Sequence, residues 1–394
     1  ERGPAGEKVA YVRVFAGTLH TRDRLQFGRR DVSEEQREGR VTAIRVFERG
    51  AAVDRSSVAA GQIAKVWGLA DVRIGDAIGG EGVASRDGTD AHYFAPPTLE
   101  TVLVPREAGD RGALHVALAQ LAEQDPLINL RQDDVREEIF VSLYGEVQKE
   151  VIQATLAADF GLAVDFRETT TIHVERLRGT GEAGEVLRAR VHTNVTGASS
   201  PTSPNPFPAT LGLRVQPAPV GSGIRLRLDV DVRLVPIYIY KTADLFVEQM
   251  SQYVRDTLRE GLLGWAVTDC TVTVIDCGYR APGTKAADFR KLTPLILMSA
   301  LTQAGTVVCE PIHRFRLEAP ADTLGSVLPM LTALHAVPRT PAVLDTSYVV
   351  EGDVPAGQVH ALQQALPAVT RGEGVVECAF DRYEPVRGAP PTRP

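Results

Sequence analysis

The sequence contains no apolar run near the ~20 residues that a membrane-spanning helix requires, which excludes helical insertion into a bilayer. Cysteine is scarce as well: Cys270, Cys277, Cys309 and Cys378 are the four present, none in a CxxC pair. That spacing excludes a disulfide framework, and reduced, mostly buried thiols are expected. The eight histidines stand singly, without an HExxH or other paired-ligand spacing, so no metal site is expected. No GxxxxGKS or GxxxxGKT loop occurs, and Gly3-Pro4-Ala5-Gly6-Glu7-Lys8 lacks both the spacing and the hydroxyl that would hold magnesium beside a phosphate. A GxSxG nucleophile elbow is missing too. Asp133-Asp134 with Glu137-Glu138 reads as a solvated face near a hairpin and not as a catalytic pair, so no catalytic residue is assigned. The chain opens on Glu1 and a polar stretch, with neither an initiator Met nor a signal peptide, and is expected to begin inside a longer cytoplasmic protein.

What is present is ordinary globular composition, 44% hydrophobic and 24% charged. The length suggests about three or four domains. A net charge of −7 excludes a uniformly basic surface, but the charge is uneven. Residues 106–160 carry eleven acidic side chains against five basic ones, whereas 280–291 carry Arg280, Lys285, Arg290 and Lys291 against Asp288 alone. Any RNA contact is therefore local.

Along the chain, the first ninety residues alternate β-rich runs (9–15, 40–47, 62–67) with glycine turns, the spacing of a small closed β-barrel. The charged segment 29–39 reads as a hairpin tip or solvated loop, and 79–91 as a linker. From 98 onward the pattern is strand 98–104, helix 110–124, strand pair 129–143, helix 145–160 and strand 162–166, the split βαβ order of a ferredoxin-like sandwich. Next come strands at 171–177, 188–195, 210–215 and 224–234, a helix at 242–261 with Leu245, Met250, Val254, Leu258 and Leu262 on one face, a strand at 268–275 and a helix at 286–304. The closing region repeats the earlier order: strand 311–317, helix 323–334, strands 342–351, helix 355–366 and strand 374–383, then a proline-rich tail read as disordered. The expected fold is multidomain α+β: a β-barrel (1–92), a ferredoxin-like α/β sandwich (96–168), an elongated α/β domain (169–308), a second ferredoxin-like sandwich (309–386) and a tail (387–394).

Residue strings turn this order into a resemblance. Gly61-Gln62-Ile63-Ala64-Lys65-Val66-Trp67-Gly68-Leu69-Ala70-Asp71 through Gly75-Asp76, then Asp125-Pro126 and Gly145-Glu146-Val147-Gln148-Lys149-Glu150-Val151, resemble strings of domains II and III of elongation factor G. Within that family, Asn205-Pro206-Phe207, Gly221-Ser222-Gly223, Gly264-Trp265-Ala266-Val267-Thr268-Asp269-Cys270 and Ala287-Asp288-Phe289-Arg290 are similar to the tetracycline-resistance ribosomal protection proteins of the TetM and OtrA type. The resemblance covers the whole chain as domains II to V and implies a translational GTPase whose GTP and Mg belong to an N-terminal domain outside it. No cofactor is expected in the chain itself. It further implies that a monomer binds the ribosome, both small-subunit rRNA and proteins and the large-subunit factor-binding region, with no membrane partner. A paralogous elongation factor G acting in translocation shares every domain, and a stand-alone RNA-binding module is a further alternative.

In that family the fourth-domain tip reaches the decoding centre, where tetracycline binds rRNA. The matching loop here is Arg280-Ala281-Pro282-Gly283-Thr284-Lys285, with Pro282 at the position of the drug-displacing proline. Arg280 and Lys285 can neutralise phosphates or stack on bases, and a proline lowers the ordering entropy of the loop. Two further loops are expected beside it, 196–208 with Asn205, Pro206 and Phe207, and 217–223 with Pro217, Ala218, Pro219 and Val220. Phe207 suits packing better than base stacking, and Gly221-Ser222-Gly223 suits a turn. The tip departs from the family form, which is closer to Ser-Pro-Val-Ser-Thr, and the first loop is longer.

Overall fold

The computed structural model describes residues 3, 7–28, 37–79, 96–125, 128–133, 138–143, 145–185 and 207–393. The chain folds as two compact units, 1–170 and 171–394.

The first unit begins with the β-barrel. Alternation along Ala43–Glu48 and Ile63–Trp67 turns Ile44, Val46, Ala64 and Val66 inward and leaves Arg45 and Lys65 on the outer face. The four-stranded part pairs Val9–Arg13 with Ile63–Trp67, then Ala43–Glu48, then Ala51–Arg55. Phe27, Val41 and Leu69 fill the interior with them. At Gly68, with φ +97°, a Cβ would lie 2.0 Å from the Arg40 carbonyl oxygen, so only glycine fits. Part of the expected 29–39 loop is strand: Arg37–Arg40 pairs antiparallel with Arg24–Gly28. Ladder pairing decides there against charge-rich composition, while 29–36 lie outside the described residues, as do 80–91 of the expected linker.

The same unit continues with a sheet in the order Leu130–Asp133, Glu138–Leu143, Leu99–Pro105, Val164–Phe166, all antiparallel. Helices Arg111–Gln124 and Val147–Phe160 cover one face, and Leu103, Leu114, Leu118, Val141, Leu143, Ile152 and Leu156 form the core. This is the ferredoxin-like plan. In the carboxylate run, Glu138 pairs with Arg167, and 134–137 lie outside the described residues.

The second unit has two sheets. One runs Gly181–Glu185, Ala209–Pro217, Cys270–Tyr279, Ile224–Leu228, the last two parallel and the others antiparallel. Helices Ala243–Thr257 and Ala286–Ala304 pack on it through Phe246, Met250, Val254, Phe289, Ile296 and Leu301. Thr242 Oγ1 accepts the Leu245 N–H at 3.1 Å and caps the first of these helices. Its buried stripe starts at Phe246, and Leu245 is exposed, because one residue turns a side chain about 100° around a helix. The helix ends at Thr257, short of the expected 261. The strand expected over 224–234 stops at Leu228 and gives way to a 3₁₀ turn, Val232–Leu234, where the Asp231 carboxylate accepts the Arg233 N–H. The expected strand 188–195 lies outside the described residues.

The other sheet is built on Thr306–Pro320, fifteen residues long, which runs unbroken across the expected boundary at 308/309. Its far part pairs with Ser347–Pro355 on one side and Val375–Pro385 on the other, and helices Leu324–Ala333 and Val359–Thr370 close a second ferredoxin-like core around Phe315, Leu317, Tyr348 and Leu362. Its near part pairs with Val174–Leu177, which in turn runs parallel to Ala266–Val267. The Gly264 to Cys270 string thus lies where the two sheets meet. Glu175 is fully buried there, its carboxylate accepting the Leu262, Leu263 and Trp265 N–H groups at 3.0, 2.8 and 3.1 Å. Beside it Asp269 pairs with Arg176 at 2.9 Å.

The tail is not disordered over its described residues. The Trp265 indole N–H donates to the Pro391 carbonyl at 2.7 Å, the Arg393 N–H donates to Leu263 O at 2.9 Å, and the Arg393 guanidinium lies over the Trp265 ring at 5.3 Å. Proline lacks an N–H but keeps an acceptor, so composition alone misjudges it.

All four cysteines are free; Cys270, Cys277 and Cys309 are buried and Cys378 half-buried. Burial pushes the Cys270 and Cys277 thiols up to about 12, so at pH 8 they stay protonated. Incubation with iodoacetamide at pH 8 should alkylate neither within the time that labels a free thiol peptide completely, and mass spectrometry reads this. Labelling of both in native protein would contradict it.

Candidate functional site

The geometry of the site follows from one antiparallel pair. Ala209 stands opposite Tyr279 and Pro217 opposite Cys270. Residues 207–208 and the 280–285 loop therefore share one end of the sheet. The 217–223 loop lies at the other end, where Ala218 N–H donates to Asp269 O at 2.8 Å and Gly223 N–H to the Asp269 carboxylate at 3.2 Å. A nine-residue strand separates the ends by roughly 27 Å. Pro217, Ala218, Pro219 and Val220 are thus not tip residues, a correction forced by strand direction: a chain leaving the tip reaches its next turn at the opposite edge. Phe207 packs, half-buried, against the domain core, and Asn205 and Pro206 lie outside the described residues.

The tip loop connects the strand ending at Tyr279 to the helix beginning at Ala286. At the helix start, the Asp288 carboxylate accepts the Lys285 N–H at 2.7 Å, which satisfies an otherwise orphaned donor. Within the loop the Ala281–Pro282 peptide is cis. Arg280, Ala281, Pro282, Gly283 and Lys285 are exposed, and Thr284 alone is buried. Thr284 uses every polar atom it has. Its N–H donates to Arg280 O at 2.8 Å, its hydroxyl donates to Pro208 O and accepts from the Arg280 N–H at 2.8 Å, and its carbonyl accepts from the Tyr238 hydroxyl at 2.7 Å. Thr284 is a latch rather than a contact residue.

Under the loop, Tyr240 and Phe289 pack with Phe246 in edge-on contacts of 5.2 to 6.2 Å between ring centres. Burial raises the Tyr240 phenol well above its ordinary range, so it stays neutral. Sequence reasoning missed Tyr238 and Pro208. The only signal for Tyr238 was the aromatic run Tyr238-Ile239-Tyr240 after Pro236, just ahead of a helix.

Chemically the site offers two cations and an apex of small residues. Among the described residues neither Arg280 nor Lys285 has an ion-pair partner, so both charges are available to phosphate. No group of three or more His, Cys, Asp or Glu able to hold a metal occurs among the described residues. The sequence holds no phosphate loop of the kind that seats a nucleotide and its magnesium.

Family models match the chain in series: Elongation factor Tu domain 2 over 7–79, Elongation Factor G domain III over 94–168, Elongation factor G domain IV over 185–305, and Elongation factor G C-terminus over 307–394. The chain is 42% identical to an oxytetracycline resistance protein of Streptomyces rimosus over 100% of its own length and 57% of the relative. It is 39% identical to the tetracycline resistance protein TetM of Streptomyces lividans (95% of the chain, 54% of the relative) and 31% identical to TetP of Clostridium perfringens (98% and 54%). The chain thus spans about half the length of the curated relatives it matches. A crystal structure of a Thermus thermophilus protein shares the fold at a TM-score of 0.52 and 23% identity, over 96% of this chain and 53% of that one.

Proposed function

We propose, from the premise that this chain belongs to the elongation-factor-G-like family of tetracycline resistance proteins and carries its second to fifth domains, that residues 280–285 displace tetracycline from the small-subunit decoding site. The parent protein would use GTP, bound by a part outside this chain, to enter and leave the ribosome. The observation that carries this reading is the division of labour at the tip: Thr284 is buried and latched, which leaves Arg280, Ala281, Pro282, Gly283 and Lys285 displayed on a rigid base. Preorganisation of this kind leaves more contact energy for expelling a ligand. Arg280 and Lys285 neutralise rRNA phosphates, and Ala281, Pro282 and Gly283 approach the bases closely.

Ribosomes loaded with radiolabelled tetracycline and mixed with the full-length protein and GTP should lose label, and the full-length gene should raise drug tolerance in a sensitive host. Retained label with confirmed ribosome binding would sink the reading. Arg280→Ala and Lys285→Ala should each flatten the salt dependence of ribosome binding by roughly 0.7–0.9 in log–log slope, one released counterion apiece. The second reading, translocation by a paralogous elongation factor G, is favoured by the descriptions of three of the four matching models. Restored peptide synthesis in an extract depleted of its own factor would support it.

A further inference from the structure

We infer that Tyr238 is the positioning residue of the tip loop, holding the Pro282 apex in its displacing pose through the Thr284 carbonyl; this rests on the function proposed above. The two ends of the loop are set by the sheet and by Asp288, and between them, among the described residues, the hydrogen bonds that hold it converge on Thr284. Two of the Thr284 bonds go to Arg280 and one to Pro208, the residue just before the strand paired with the loop's own strand. The remaining bond, Tyr238 hydroxyl to Thr284 O at 2.7 Å, comes from a separate segment, the short helix Ile237–Tyr240.

The Tyr238 ring also leans on Tyr279, the last strand residue before the loop, with ring centres 5.2 Å apart and planes at 43°. One side chain thus touches the loop at both its entrance and its exit. Core packing does not account for it. Tyr240, two residues on, supplies the aromatic ring buried in the domain core, whereas Tyr238 is 48% exposed and outside that cluster.

Tyr238 is half-exposed and its hydrogen bond part-buried, so water partly replaces the hydroxyl when it is removed. Tyr238→Phe should therefore slow drug release about twofold to threefold, the low end for a neutral hydrogen bond. Tyr238→Ala, which also removes the ring pair, should slow it about tenfold. Four readouts on the full-length protein decide the matter: release of radiolabelled tetracycline, ribosome affinity without drug, amide hydrogen exchange of the 279–286 peptide, and melting temperature. The inference expects slower release and faster exchange in 279–286, with melting temperature unchanged and affinity lowered by no more than the factor by which release slows. Wild-type release and wild-type exchange in both variants would overturn it. Loss of melting temperature with faster exchange throughout 209–304 would overturn it as well, making Tyr238 an ordinary fold residue. If the wild type releases no drug, the proposed function fails, while exchange in 279–286 still reports whether Tyr238 holds the loop.

Discussion

Glu175→Ala should destabilise the 171–394 unit by about 3–5 kcal/mol, because it removes a fully buried carboxylate that serves three N–H donors at once, that of buried Trp265 and those of half-buried Leu262 and Leu263. Each unsatisfied donor costs about 1–3 kcal/mol, and the three share one carboxylate with two of them partly open to water, so the total falls below a simple sum. Glu175→Gln should cost less, about 1–2 kcal/mol: an amide oxygen can still serve Leu263 and Trp265, but its NH₂ would face the Leu262 donor. The chain has two tryptophans, Trp67 in the first unit and Trp265 beside Glu175 in the second. In a Trp67→Phe background, urea titration followed by tryptophan fluorescence reads the second unit alone. An unchanged midpoint for Glu175→Ala would show that water replaces the carboxylate freely.

Phe289→Ala should cost a similar amount, about 3–5 kcal/mol, by opening a cavity where Phe246 and Tyr240 meet it edge-on. Phe289 sits in the first turn of the helix that begins directly after the tip loop, so it couples stability to the candidate site. Phe289→Leu keeps most of the volume and should lose about 1–2 kcal/mol. If loop position depends on that helix start, Phe289→Ala slows drug release even at temperatures where the protein remains folded. Equal stability of all three proteins in denaturant would refute the packing account.

Much of the fold can be read from residues because local and long-range signals agree. The helix Ala286–Ala304 is legible to its bounds: Asp288 marks its first turn, Gly305 with φ +66° ends it, and apolar residues recur between them. Both ferredoxin-like sandwiches follow from element order. Where the sequence misleads, the missing information is tertiary. Glycine and proline reveal a turn at 217–223 but not the edge at which it falls; that depends on which strands pair and in which direction, and it takes the loop away from the tip. The tail looks unstructured in sequence because its anchor, Trp265, is more than a hundred residues away. Tyr238 escapes notice because its partner is a backbone carbonyl, which leaves no trace in residue type.

The seam between the two sheets of the second unit bears on how such genes can be exchanged. The Thr306–Pro320 strand, the Trp265 indole and the 391–393 backbone are shared property of the tip half and the C-terminal half. A recombination joint near residue 305 would ask one parent's 174–177 strand and Trp265 to serve another parent's 306–320 strand and tail. Lineages that trade tips should therefore trade the C-terminal sheet with them, and a chimera that splits the pair should express as an unstable protein unless residues 174–177, 261–270 and 388–393 come from one source.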